Sequence, residues 1–143
     1  MSSIRINTGL KVYDIEDENG NIRGQISFNP ADVNFFPRAQ TMYDNVMHLI
    51  EDIEQLPEDI DEKELVDKLT EYDLAIKKEV DILFDDETAS KVVFGNQNCF
   101  NTLNGESFIE RFLNAFMPVI KKEFEEENKK SVERINKYTS QVK

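Results

Sequence analysis

The sequence predicts an α+β fold: an N-terminal β-hairpin or small antiparallel sheet followed by a bundle of three to four helices. Three observations carry this. Apolar residues alternate with polar ones only near the start of the chain. From about residue 38 onward they recur at intervals of three and four. A turn cluster and then a proline break separate the two regimes. With 143 residues there is room for one domain of ordinary size. The expected organisation is a hairpin region over 1–34, a helical body over 35–125 and a protruding or weakly ordered C-terminal helix over 126–143.

The β region spans residues 4–28. Ile4, Ile6, Leu10 and Val12 alternate with polar residues, the period of a half-buried strand. Asp17-Glu18-Asn19-Gly20-Asn21 is a turn cluster, and Asn-Gly tolerates positive φ at both central positions of a tight hairpin turn. The return strand, Ile22 to Phe28, carries Ile22, Ile26 and Phe28 on one expected face, and Asn29-Pro30 breaks it. Asp17, Asn19 and Asn21 alternate like calcium-loop ligands, but Ile22 and Phe28 stand where that loop needs Gly and Glu. A hairpin turn is the better account.

A first helix is expected over 38–56, with Met42, Val46, Leu49, Ile50 and Ile53 on one face, Tyr43 and Met47 beside it, and Pro57 ending it. A second runs over about 59–83 with the stripe Leu65, Leu69, Tyr72, Ile76, Val80 and Leu83. The short link makes the two antiparallel neighbours. Asp85 or Asp86 can cap a short helix that Gly95 closes, and 96–105 reads as a polar loop. The last helix starts near Glu106 or Ser107. Phe108, Phe112, Phe116, Ile120 and Phe124 form its apolar row, flanked by Ile109, Leu113 and Val119, and Pro118 should kink or break it.

Charge is distributed unevenly. The net charge is −12, and residues 51–87 alone hold 16 acids against 4 bases. Such a run serves as a solvated helix face or as a surface that steers a basic partner. Excess acid opposes nonspecific nucleic-acid binding, which needs Lys and Arg against phosphates. No apolar stretch is long enough to span a bilayer, and neither a secretory leader nor a second cysteine is present. The expectation is a cytoplasmic protein without membrane attachment.

Residues that would support catalysis are sparse. His48 is the only histidine and lies within a predicted helix; Cys99 is the only cysteine and has no basic neighbour in sequence. One of each cannot close a zinc site, and no glycine-rich phosphate loop precedes a helix. The expectation is a non-enzyme without catalytic residues, cofactor or metal. Candidate partner-binding residues are Phe108, Phe112, Phe116 and Phe124 on the apolar row and Lys129, Lys130, Arg134 and Lys137 beyond it. For the phenylalanines the competing role is core packing. For the cations it is a solvated helix end; their functional role would be contact with an acidic surface such as 51–87 of another copy.

The stretch Phe84-Asp-Asp-Glu-Thr-Ala-Ser-Lys-Val-Val-Phe-Gly95 looks like the Phe-Gly-x-Gly-Thr-Ala/Ser-x-Lys-Val/Ile-Phe-Gly stretch of small tail-module proteins of phages and prophages of Gram-positive bacteria. Acids replace the family's glycines at Asp85-Asp86-Glu87. The likeness extends over about residues 42–138. It implies the role of a tail assembly chaperone: small, acidic, non-enzymatic, binding the tape-measure protein and the tail-tube subunit and absent from the mature particle. It transfers no catalytic residue. A different class also fits the acid density at 51–87, a DNA-mimicking inhibitor of a nuclease or DNA-binding protein.

Overall fold

The structure, a computed structural model, describes the backbone of residues 2–141 and the side chains of residues 2–129. Strands β1 (Lys11–Glu16) and β2 (Ile22–Phe28) pair antiparallel, Lys11 opposite Phe28 and Tyr13 opposite Ile26. Four helices follow: α1 (Phe35–Glu54), α2 (Glu62–Phe84), α3 (Ala89–Phe94) and α4 (Phe108–Gln141). A second two-stranded ribbon, β3 (Thr102–Leu103) with β4 (Glu106–Ser107), lies just before α4. This is the expected α+β arrangement.

Several expectations about the hairpin need correction. Residues 2–10 form no strand, and Ile4 and Ile6 are almost fully exposed. The physical reason is register: Lys11 already sits opposite Phe28, and Asn29-Pro30 ends β2 there, so the arm has no strand to pair with. Ile22 is exposed, because a bulge between Ile15 and Glu16 changes the register before the strand reaches it. At the turn only Gly20 has positive φ (79°). Its N–H donates to the Asp17 carbonyl at 3.0 Å, and the Asp17 carboxylate accepts the N–H groups of Asn19 and Asn21 at 2.9 Å. The turn with both central residues at positive φ occurs instead at Asn104 (54°) and Gly105 (86°), joining β3 to β4 inside the segment expected to be an unstructured loop.

The core gathers around Phe28. Its ring stacks on Tyr13 (4.5 Å between centroids) and on Phe35 (4.8 Å), and meets Phe116 edge-on at 5.7 Å. Each such pair adds about 0.5–1.5 kcal/mol beyond the area it buries. From α1 the buried face is Phe35, Ala39, Met42, Val46 and Ile50; from α2 it is Ile76, Val80, Leu83 and Phe84. Leu65, Leu69 and Tyr72 are only half-buried, so the first half of the α2 stripe lies at the margin of the core. On α4 the buried line is Ile109, Leu113, Phe116 and Ile120: it keeps Phe116 and Ile120 of the expected row, while Ile109 and Leu113 are buried and Phe108, Phe112 and Phe124 only half-buried. Pro118 does not break α4. Both Pro118 and Asn114, whose carbonyl loses its helical partner, lie on the exposed side of α4, where solvent can reach the helix.

The Phe84–Gly95 stretch is a helix-to-helix corner. Asp85 ends α2 in the left-handed conformation (φ 51°), and Gly95 ends α3 at φ 60°. The carboxylate of Asp86 accepts the Thr88 N–H and hydroxyl at 2.9 and 2.7 Å, and Asp81 reaches from α2 to accept the Ser90 N–H at 2.7 Å. The start of α3 is thus satisfied largely from outside the helix.

Candidate functional site

An open groove of about 830 Å³ runs between the hairpin and α4. Its apolar floor includes Ile15, Ile26, Phe28, Phe108, Phe112 and Phe116, with Leu103 and Val119 at its edges. Phe112 stacks on Phe116 at 5.3 Å, and Phe94 braces Phe108 and Phe112 edge-on from behind at 5.0 and 5.8 Å. Three of the four phenylalanines singled out in sequence therefore meet here. Phe124 does not: its ring stacks on Phe36 at 4.8 Å and serves the α1–α4 contact. Lys129 is exposed on α4, whereas the side chains of Lys130, Arg134 and Lys137 lie outside the described residues.

One wall of the groove is formed by consecutive residues, Tyr13 to Glu18. Side chains of both faces of β1 line it in succession, so the wall is the strand's edge, and among the described residues β1 pairs only with β2. The wall carries four acids. Asp14 accepts from the Gln25 amide at 2.9 Å, and Asp17 fastens the turn. The backbone N–H of Asn21, followed by that of Asn19, holds the Asp17 carboxyl below the ordinary range. Opposite, Arg111 lies 5.0 Å over the Phe108 ring and donates to the Glu106 carbonyl at 2.7 Å.

At the open end of the hairpin, Lys11 pairs with Glu123 of α4 at 2.8 Å. This hydrogen bond is the main cause that lowers the Glu123 carboxyl below its ordinary value and raises Lys11 above its own. The Tyr13 hydroxyl is buried beside the pair with no hydrogen bond of good geometry. Burial first, and then Glu123, pushes its titration upward.

Groups with chemical potential lie elsewhere. His48 is exposed on α1, 3.8 Å from Glu51. Cys99 is fully buried, and burial followed by the charge of Asp73 drives its thiol far above the ordinary range. Asp73 is not part of the solvated acidic face. It is 7% exposed, accepts the Cys99 N–H at 2.8 Å and pairs with Lys77 at 3.0 Å. Lys77 also donates to the Gln97 carbonyl at 2.8 Å, so the two residues anchor 97–99 to α2. Among the described residues no cluster of three metal-ligating side chains occurs, and no helix is long and apolar enough to cross a membrane.

Comparisons with protein-family models, curated proteins and solved structures find no match. What the molecule offers a partner is the groove: aromatic below, acidic along one wall, open at a strand edge. Sequence reasoning finds the α4 side of it through the phenylalanine row. It misses the β1 wall, where the signal is the Tyr13–Ile15 alternation next to a run of acids.

Proposed function

We propose that this chain is a non-enzymatic binding protein of the tail assembly chaperone type, which shelters apolar segments of tape-measure or tail-tube subunits in the host cytoplasm during virion assembly. The observation that carries this reading is the groove lined by half-buried Phe108 and Phe112 over buried Phe116, beside the acids of β1. Such a surface takes up an apolar segment and selects for flanking cations. The backbone at Asp85 adds support. The tail-module stretch has glycine at this position, and here an aspartate adopts the left-handed conformation that glycine accommodates best.

The test is binding of labelled tape-measure and tail-tube segments to the purified chain at low salt, followed by fluorescence anisotropy. Val119 and Leu103 line the groove but are 42% and 59% exposed, so Val119→Glu and Leu103→Glu should leave the fold intact and weaken binding at least about tenfold. Tail segments that fail to bind, or that bind both variants as well as the parent, overturn the reading. DNA-competitive inhibition of a nuclease would move the function to the acids of 51–87 instead.

A further inference from the structure

We propose that the groove is a self-association site, in which residues 2–8 of a second copy add to the open edge of β1 as a third strand. This goes beyond the proposed function and does not rest on it.

The arm has a strand's pattern without a strand's partner. Ile4 and Ile6 flank Arg5, yet they are 89% and 74% exposed, and no residue of 2–10 lines the groove of its own chain. Large apolar side chains alternating in an extended, unpaired segment are a local preference left unmet within one copy. The nearest tether is at Thr8, whose carbonyl accepts from the Asn29 amide at 3.4 Å; among the described residues, 2–6 make no hydrogen bond or ion pair.

The groove supplies what the arm lacks. The outer edge of β1 is unpaired, and strand addition satisfies backbone groups on both sides. Residues on adjacent strands share faces with a period of two. With Ile4 and Ile6 on the face of Tyr13 and Ile15, they come down on the aromatic floor at Phe108 and Phe112. Arg5 then falls on the opposite face, beside Asp14 and Glu16. Among the described residues the Glu16 carboxylate has no hydrogen bond or ion pair, so its charge is available. One alignment therefore matches apolar to apolar and cation to carboxylate. A client segment of the same pattern would compete for the same edge.

Sedimentation equilibrium of the full chain across a concentration series tests this. The expected result is a mass that rises from 16.7 kDa to a multiple of it, and falls back as salt is added. Ile4→Asp/Ile6→Asp should remain at the monomer mass throughout, and Arg5→Glu should weaken association at least about tenfold. Because these side chains are exposed, loss of association in them is not loss of fold; circular dichroism checks this. A labelled peptide of residues 2–10 should bind the Ile4→Asp/Ile6→Asp chain, and Val119→Glu added to that chain should abolish the binding. A parent that stays monomeric overturns the proposal, as does an oligomer unchanged in the arm variant or a peptide that fails to bind. Tail segments that bind the arm variant despite a monomeric parent would leave the proposed function standing and remove this inference alone.

Discussion

Replacing Asp73 should be among the most costly single changes available to this protein. Its carboxylate serves two groups that cannot both find water: the N–H of fully buried Cys99 at 2.8 Å and the ammonium of Lys77 at 3.0 Å, whose side chain is 18% exposed. In Asp73→Ala the buried N–H loses its acceptor, worth about 1–3 kcal/mol. The ammonium loses its partner, and breaking a buried pair costs about 3–5 kcal/mol. Lys77 keeps the Gln97 carbonyl and some solvent, so the total should fall near the lower end of the sum, about 4 kcal/mol. Asp73→Asn keeps an acceptor for Cys99 and should lose only about 1–2 kcal/mol. Adding Lys77→Met to Asp73→Ala removes the stranded charge and should recover part of the loss, a coupling that a double-mutant cycle reads directly. Urea unfolding of the parent, Lys77→Met and these three variants measures the losses and closes the cycle, with the midpoint moving and the slope constant. A loss below about 0.5 kcal/mol in Asp73→Ala would refute the reasoning, for it would mean that neither contact is effective in the folded state.

Four further outcomes follow from the same geometry. Asp85→Gly relieves a left-handed aspartate at the end of α2 and should raise stability by up to about 1 kcal/mol in urea; a loss would show that the Asp85 side chain has a role its conformation does not reveal. Cys99 should resist Ellman's reagent in the native state and react once denaturant unfolds the chain, and rapid native labelling would contradict its burial. The acids Asp17, Asp86 and Glu123 all titrate below their ordinary values when folded, so their stabilisation is present above those values and is lost as pH falls through about 4 and below. Lys11 and Tyr13 titrate above theirs, so their share is present at neutral pH and is lost as pH rises past about 10. In Lys11→Met the Glu123 carboxyl should titrate closer to the ordinary value by NMR; an unmoved titration would disprove the link between β1 and α4.

Where burial is continuous along an element, the sequence discloses the fold. The α1 face through Met42, Val46 and Ile50 and the α2 face through Ile76 and Val80 are legible because a helix packed along its length repeats its apolar residues at the helical period. Legibility fails where one residue's role is decided by a distant one. Asp73 reads as one more acid in an acidic run, and only the approach of Cys99 from 26 positions away turns it inward. Ile4 and Ile6 alternate like a strand, but whether a strand forms depends on whether another edge remains free. Two Asn-Gly pairs look alike in sequence; the one flanked by two-residue strands takes the tight turn, and the longer hairpin uses a five-residue loop, 17–21. The groove was half legible for a related reason. The phenylalanine row of α4 announces an apolar face, while the opposite wall alternates half-buried and exposed positions whose sequence signal is weak.

Gly24 of β2 faces α3 so closely that an added Cβ would stand 2.9 Å from a methyl of Val92. Val92 is β-branched and cannot swing aside cheaply, so even alanine would lever β2 away from α3. The hairpin carries the β1 wall of the groove with it. The gap between that wall and α4 is therefore gauged from behind, by the absence of a single methyl group on a residue that never touches whatever occupies the groove. Widths of this kind drift under substitutions that no inspection of the contact surface would flag, so a protein built on this plan could change what its groove admits without altering one residue that lines it.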